Sequence, residues 1–176
     1  MIPLPEGPAT VQSRVALLLA AAQSAEVRAE VKLRAEFDPV WFVDYFGVVE
    51  EPRAYGEEAV QPFLLFPFQR ETIARLYRHV QEGKDLLIEK SRDVGATWMV
   101  LWLLVHQWLF RPHFQALIGS YRQEETDNFT TRSLFGKLEF ALRHLPGWLL
   151  PEGFEFRKHR VKNRILDPEN GSTLQG

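Results

Sequence analysis

The sequence contains no cysteine. Disulfide scaffolds, cysteine-based zinc sites and thiol catalysis are therefore excluded, although the redox compartment stays undecided. The five histidines are scattered and suggest no metal cluster. Long apolar runs are also lacking, because residues 15–22 are too short to span a bilayer and His106 and Gln107 break the run 98–109. We expect a soluble intracellular protein without a membrane segment.

A strong charge of either sign is lacking too, since the 176 residues carry a formal net charge of -2. This balance gives no global basic surface for nucleic acid. The charge is uneven, however, because residues 157–164 hold five lysines or arginines together with His159. With 45% hydrophobic residues, the chain is long enough for the core of one α/β domain.

The chain is organised around residues 86–97, LLIEKSRDVGAT, which a long apolar run follows. Three apolar residues, a polar loop with one glycine and a helical pattern predict a strand, a phosphate-binding loop and a helix. Lys90 and Ala96 stand where the usual G-x-x-x-x-G-K-[ST] pattern has its first glycine and its lysine. Gly95 and Thr97 fit the pattern. A strand-to-helix turn with Thr97 as the helix N-cap is the alternative.

The chemistry of the loop favours the phosphate site. A P-loop needs an ammonium near the β and γ phosphates, a hydroxyl for Mg²⁺ and a glycine where the backbone approaches the ligand. Lys90, Thr97 and Gly95 supply these groups if the lysine reaches in from the front of the loop. Arg92 adds a second cation.

Helices dominate the predicted elements before the loop. Residues 10–37 have the composition and the approximate 3.6 periodicity of a helix. Asp38 and Pro39 predict the N-cap and first position of a second helix with aromatic core residues. Residues 47–62 predict a surface connection, and the apolar residues 63–66 predict a short buried stretch. A third helix is expected over 70–81.

Alternating strands and helices are predicted from the loop onward. The expected strands and helices, in order, are 86–89, 97–110, 114–120 and 124–144. This order predicts a right-handed βαβ unit and a parallel sheet, with ligands at the carboxyl ends of the strands. Two short strands are then expected at 154–158 and 160–166, followed by a hairpin turn at Asn170 and Gly171.

Three motifs resemble the N-terminal ATPase region of tailed-phage terminase large subunits. They are FPFQ at 66–69, EKSRDVGATW at 89–98 and PENGS at 168–172. The resemblance runs from about Asp38 to the last residue. The loop resembles the variant Walker A loop of this family, K-S-R-x-x-G-[AS]-[ST], in which the lysine stands at the front. The resemblance therefore accounts for both departures from the usual P-loop pattern.

The resemblance implies an α/β fold that is part of a P-loop NTPase core of the RecA-like (ASCE) type. In it a parallel sheet is flanked by helices and preceded by a helical extension. Residues 1–62 would form the N-terminal tail and helical region, and residues 63–176 an incomplete ATPase core.

The resemblance also implies a binding site for ATP and Mg²⁺. Its residues would be Gln69, Lys90, Ser91, Arg92, Asp93, Val94, Gly95, Ala96 and Thr97. Lys90 would contact the β and γ phosphates, and Thr97 would ligate Mg²⁺. Arg92 would act as a catalytic arginine on the γ-phosphate, while Gly95 and Ala96 would offer backbone N–H groups.

The resemblance also implies contacts with the adenine base and with DNA, and each of these contacts has a purely structural alternative. Gln69 would read the adenine edge, because an amide both donates and accepts hydrogen bonds, or it is an exposed residue at a helix start. Ser120, Tyr121 and Arg122 occupy the place of a motif that contacts nucleic-acid backbone, or they form a plain polar turn. The cluster 157–164 would contact DNA or supply an arginine finger in trans, or it is a solvated face.

An acidic strand end is missing from the sequence. Hydrolysis in this class needs such a strand to hold Mg²⁺, and no apolar run ending in Asp-Glu follows Thr97. Residues 164–167 come nearest but lack a second carboxylate. The resemblance places the acidic strand shortly beyond Gly176 and the nuclease domain further on. We therefore expect a truncated chain that binds ATP and hydrolyses it barely or not at all.

The implied whole protein is a viral DNA-packaging motor that couples ATP hydrolysis to translocation of double-stranded DNA into a procapsid. Its subunits would form a homo-oligomeric ring in the cytoplasm of a bacterial host, with the portal protein and the small terminase subunit as partners. Two alternatives stay open at this point. They are a helicase-like P-loop ATPase and a non-catalytic module that binds DNA or protein and carries a degenerate loop.

Overall fold

The computed structural model describes residues 4–51 and 56–176, and within them it has an α/β fold. Eight α-helices occur in these ranges: α1 Val11–Gln23, α2 Ala25–Phe37, α3 Pro39–Phe46, α4 Pro67–Glu82, α5 Ala96–Phe110, α6 Gln123–Thr126, α7 Leu134–Arg143 and α8 Phe156–His159. The strands are β1 Val48–Glu50, β2 Val60–Pro62, β3 Gln115–Leu117, β4 Arg160–Val161, β5 Arg164–Leu166 and β6 Thr173–Gln175. The chain divides into two compact units, 1–100 and 101–176.

In the first unit, α1 and α2 replace the single helix predicted for 10–37. Ser24 ends α1 and caps α2, where its hydroxyl accepts a hydrogen bond from the N–H of Val27 at 3.3 Å. A serine side chain offers the backbone a local partner and so favours a helix end over a helix interior. The helical composition continues on both sides of Ser24, which is why periodicity predicted one helix.

The next two predicted helices are confirmed. Asp38 caps α3 by accepting from the N–H of Trp41 at 2.9 Å, and Pro39 is the first residue of that helix. The aromatic residues of α3 are buried, as predicted. Helix α4 starts earlier than predicted, at Pro67, and ends at Gly83 in the left-handed conformation. Both ends carry local sequence signals, since proline suits a first helical position and glycine a C-cap.

The carboxylate of Asp44, on α3, is fully buried and joins several segments of the first unit. It accepts hydrogen bonds from the N–H of Ala9 at 2.6 Å, from the N–H of Leu65 at 3.2 Å and from the guanidinium of Arg70. Arg14 is buried as well, and burial lowers its pKa to about 10, against the attraction of Asp44, which raises it. Buried charge is tolerated where it is paired in this way.

Two regions of the first unit differ from the prediction. The surface connection predicted for 47–62 contains the antiparallel pair β1 and β2, with Val49 opposite Gln61, while residues 52–55 of it lie outside the described residues. The strand predicted for 86–89 is wrong, because neither sheet of the described residues includes this segment and Leu87 is 93% exposed. A strand needs a neighbour to form its ladder, and an apolar triplet alone does not provide one.

The second unit contains a four-stranded sheet with the order β3, β6, β5, β4. Strand β3 runs parallel to β6, so the parallel partner of 114–120 is not the segment 86–89, as predicted, but β6. Strands β5 and β6 pair antiparallel with Ile165 opposite Leu174, and both side chains are fully buried. The hairpin predicted at Asn170 and Gly171 is confirmed.

The helices of the second unit are more broken than predicted. The helix expected over 97–110 is confirmed as α5. The helix expected over 124–144 is interrupted, since α6 ends at Thr126 and Ser133 caps α7 by accepting from the N–H of Gly136. The strand predicted at 154–158 is wrong, because α8 occupies its end. Among the residues described, no helix is both long and apolar enough to cross a bilayer.

A buried ion pair between Arg160 and Asp127 connects the parts of the second unit. Two nitrogens of the guanidinium lie 2.8 Å from the two carboxylate oxygens, and Glu139 Oε2 lies 3.2 Å from the third. The N–H groups of Phe129 and Asn163 also donate to Asp127. Burial by itself raises the pKa of this carboxyl, but the hydrogen bonds from Arg160 and the two N–H groups outweigh it and lower the pKa.

Replacing Asp127 by Asn should lower the free energy of unfolding by about 3 kcal/mol, because it leaves a buried guanidinium without its main counter-charge. Urea unfolding followed by tryptophan fluorescence measures this change. Glu155→Gln is the control, since it breaks only the exposed pair with Lys158 and should change stability by at most about 0.5 kcal/mol. Equal effects of the two substitutions would contradict the assignment.

Asp167 lies at the end of β5 and is 1% exposed. Its Oδ1 accepts from the N–H groups of Glu169 and Asn170, which forms the turn before β6. Its Oδ2 is buried and has no hydrogen-bond partner within residues 4–51 and 56–176. Burial raises the pKa of Asp167 above its ordinary value of 3.8, and the two N–H groups partly oppose this. The buried carboxylate form is therefore a cost to the folded state.

Because the pKa is raised on folding, the wild-type protein should lose stability relative to Asp167→Asn as the pH rises from 3.8 through the folded-state pKa. Below 3.8 both states hold the proton, and the difference should stay constant. Urea unfolding of both proteins between about pH 3.5 and 7 measures the trend. A difference independent of pH, or one that changes in the opposite direction, would show that Asp167 ionises normally. Glu152→Gln, at an exposed carboxylate, is the control.

Candidate nucleotide-binding site

The loop of residues 90–95 leads directly into the N-terminus of α5. The carbonyl of Gly95 accepts from the N–H of Met99 at 3.0 Å, so the helix begins at Ala96. Thr97 is thus the second residue of the helix, and the interpretation of Thr97 as its N-cap is wrong. N–H groups in a first helical turn have no intrahelical acceptor by geometry and attract anions.

Two loop residues have a left-handed backbone, Asp93 with φ 62° and Gly95 with φ 75°. Backbones that turn through this region form concave arrays of N–H groups that suit anions. Aspartate tolerates the conformation better than most side chains, and glycine adopts it freely. The two positive φ values are thus compatible with an anion-binding turn.

The loop presents its polar side chains to solvent. The exposed residues are Lys90, Ser91, Arg92, Asp93 and Thr97, and the half-buried ones are Val94, Gly95 and Ala96. The cationic side chains and the hydroxyl are accordingly accessible to a ligand, while the end of the loop is held against the protein. These residues fit a triphosphate and the Mg²⁺ that accompanies it: two cations, a hydroxyl and a helix N-terminus lie within one short stretch.

Gln69 connects α4 to this loop. Its side-chain oxygen accepts from the N–H of Phe66 at 2.9 Å, and its side-chain nitrogen donates to the carbonyl of Val94 at 3.0 Å. Gln69 is only 4% exposed, so the interpretation of an exposed helix-start glutamine is wrong. The adenine contact stays a prediction.

Gly95 packs directly on the Gln69 amide. A Cβ atom at this position would lie 3.0 Å from the Gln69 nitrogen and 3.5 Å from the ring of Phe63. A Cβ atom here would therefore be crowded by the Gln69 amide and strained by the positive φ.

Aromatic residues beside the site are arranged differently from the prediction of a buried stretch at 63–66. Phe63 and Leu65 are buried, but Phe66 is 63% exposed. Its ring stacks on that of Phe68, with 6.0 Å between centroids and an interplanar angle of 6°. Sequence reasoning missed this exposed pair. The sequence signal for the pair is Phe-Pro-Phe before Gln69. Phe66 and Phe68 are two positions apart at a helix start, so their rings cannot both enter the same core.

The predicted DNA-contacting turn belongs to the second unit. Ser120, Tyr121 and Arg122 are exposed there. The hydroxyl of Ser120 donates to Glu125 at 2.6 Å and its N–H donates to Thr126 at 3.2 Å, which satisfies the turn locally. The contact of these three residues with nucleic acid stays a prediction.

The basic cluster 157–164 is smaller at the surface than in the sequence. Arg160 is buried in its pair with Asp127 and so does not contact DNA or act as an arginine finger. Lys158 is exposed and pairs with Glu155 at 2.5 Å, and Arg157, Lys162 and Arg164 are exposed too. The pattern of charges could not distinguish these cases, because the partner of Arg160 lies far away in the sequence.

Comparison with known proteins adds no assignment, since no protein-family model matches the chain and a search of curated proteins finds no significant match.

Gly95→Ala should lower the free energy of unfolding by about 2 kcal/mol, since it combines a left-handed alanine with a contact that the Gln69 amide must yield to. Gly83→Ala is the matched control. Gly83 has a similar φ of 63°, but no atom of the described part of the chain lies within 4 Å of an added Cβ, so only the conformational cost of about 1 kcal/mol should remain. Urea unfolding of both variants measures the difference, and equal losses would refute the packing of Gly95 on Gln69.

Proposed function

We propose that this chain is the nucleotide-binding part of a DNA-packaging ATPase of the terminase large-subunit type. The observation that supports it best is the exposed cationic loop at the N-terminus of α5, whose left-handed turns are held to α4 by the bond between Gln69 and Val94. The same proposal includes the fold: the α/β chain would be part of a RecA-like P-loop core.

Three side chains and two backbone N–H groups have roles in this proposal. Lys90 donates hydrogen bonds to oxygens of the β and γ phosphates, and Arg92 approaches the γ-phosphate. The hydroxyl of Thr97 would hold Mg²⁺, and the N–H groups of Gly95 and Ala96 would donate to phosphate oxygens. Mg²⁺, when bound, would neutralise part of the phosphate charge.

The wider activity is proposed on the resemblance of the three motifs. The whole motor would use ATP hydrolysis to move double-stranded DNA into a procapsid, as a homo-oligomeric ring that meets the portal protein and the small terminase subunit in the bacterial cytoplasm. This chain would bind ATP and hydrolyse it barely. The sequence has no apolar run ending in Asp-Glu after Thr97, and the acidic residue nearest to that role, Asp167, is occupied in a turn.

The test is a titration of a fluorescent ATP analogue with and without Mg²⁺. Lys90→Ala should weaken binding about 10-fold to 100-fold, because it removes a charge-assisted contact. Thr97→Ala should weaken binding only when Mg²⁺ is present. Lys84→Ala is the control, since Lys84 is exposed before the loop, pairs with Glu82 and should leave binding unchanged.

Two results would contradict the proposal. Absence of binding, or binding indifferent to Lys90→Ala and Thr97→Ala, would favour the non-catalytic module. Steady-state hydrolysis well above background that Lys90→Ala abolishes would refute the claim that this chain hydrolyses ATP barely.

A further inference from the structure

Both polar atoms of the Gln69 side-chain amide form hydrogen bonds with the backbone of the protein. The oxygen binds the N–H of Phe66 at the start of α4, and the nitrogen binds the carbonyl of Val94 in the loop. The side chain is 4% exposed. We propose that Gln69 is a positioning residue for the phosphate-binding loop and acts on the nucleotide through the backbone of Val94 and Gly95 instead of by reading the base.

The geometry of the peptide group explains how one hydrogen bond positions the loop. A trans peptide is planar, and its C=O and the following N–H point in opposite directions. Because the carbonyl of Val94 points at Gln69, the N–H of Gly95 must point away from Gln69. The bond therefore fixes the direction of a backbone donor at the end of the loop.

The backbone of Gly95 also lies close to the Gln69 amide. Gly95 has φ 75°, and an added Cβ would lie 3.0 Å from the Gln69 nitrogen. The loop backbone therefore lies on the amide without a side chain between them. Loss of the amide would free the peptide to rotate. A mobile N–H binds an anion less well, because ordering it on binding costs conformational entropy.

The two roles for Gln69 make different predictions about ligands. A residue that reads adenine affects only ligands that contain the base. A residue that positions the loop affects every ligand that the loop holds, including inorganic tripolyphosphate, which has no base. For its ligand this inference rests on the proposed function, but the loop contact itself can be observed in the free protein.

Gln69→Leu is the variant of choice, because it removes both hydrogen bonds at similar volume and without a change of charge. We expect Mg²⁺-ATP and Mg²⁺-tripolyphosphate to lose affinity by the same factor, about threefold to tenfold, in isothermal titration calorimetry. In the free protein the amide resonance of Gly95 should shift in a ¹⁵N-¹H correlation spectrum. Gln81→Leu, the same change at the exposed end of α4, should alter neither.

Gln69→Glu serves if Gln69→Leu unfolds. Its carboxylate still accepts from the N–H of Phe66 but repels the carbonyl of Val94, so helix α4 keeps its start and the loop loses its contact. An affinity loss for ATP with unchanged tripolyphosphate binding would overturn the inference in favour of base reading. If the wild-type protein binds neither ligand, the proposed function fails. The Gly95 resonance then decides the positioning role alone, and an unshifted resonance refutes it.

Discussion

The buried carboxylate of Asp44 is the interaction on which the candidate site depends. It accepts hydrogen bonds from Leu65, just before α4, and from Arg70, in the first turn of α4. These bonds fix the position of the helix start that carries Gln69. Gln69 in turn holds Val94. A charge removed from water is costly, but two guanidinium groups and two backbone N–H groups compensate this one. A chain of hydrogen bonds thus connects the charge buried on α3, through the start of α4, to the end of the exposed loop.

The second unit also contains a buried charge that is paired. Arg160 and Asp127 meet through two parallel hydrogen bonds, and the rings of Phe129 and Phe135 lie 4.7 and 5.6 Å from the guanidinium. Such a pair contributes less to stability than its short distances suggest, because both partners give up hydration. Removing one partner is costly all the same, because it leaves the other charge alone in the interior.

Sequence reasoning succeeded where structure is local. Asp38, Pro39 and Gly83 set helix ends through contacts a few residues away, and Asn170 and Gly171 set a turn in the same way. It failed at the segment 86–89, since a strand depends on a neighbour that no short pattern specifies. Within the site, the loop and its accessible side chains followed from residue types, whereas the contact between α4 and Val94 spans 25 positions and left no signal in the sequence.

The exposed segment just before the loop has a consequence for the lifetime of the protein. Proteases bind extended, accessible backbone, and residues 84–90 lack helix or strand and carry exposed side chains almost throughout. Lys84 and Lys90 bracket the segment and Arg92 follows it, so a trypsin-like enzyme finds three cleavable bonds there. A ligand that covers Lys90 and Arg92 would shield two of them. A protein with its loop occupied would then be cleaved more slowly at these two bonds than one with its loop empty.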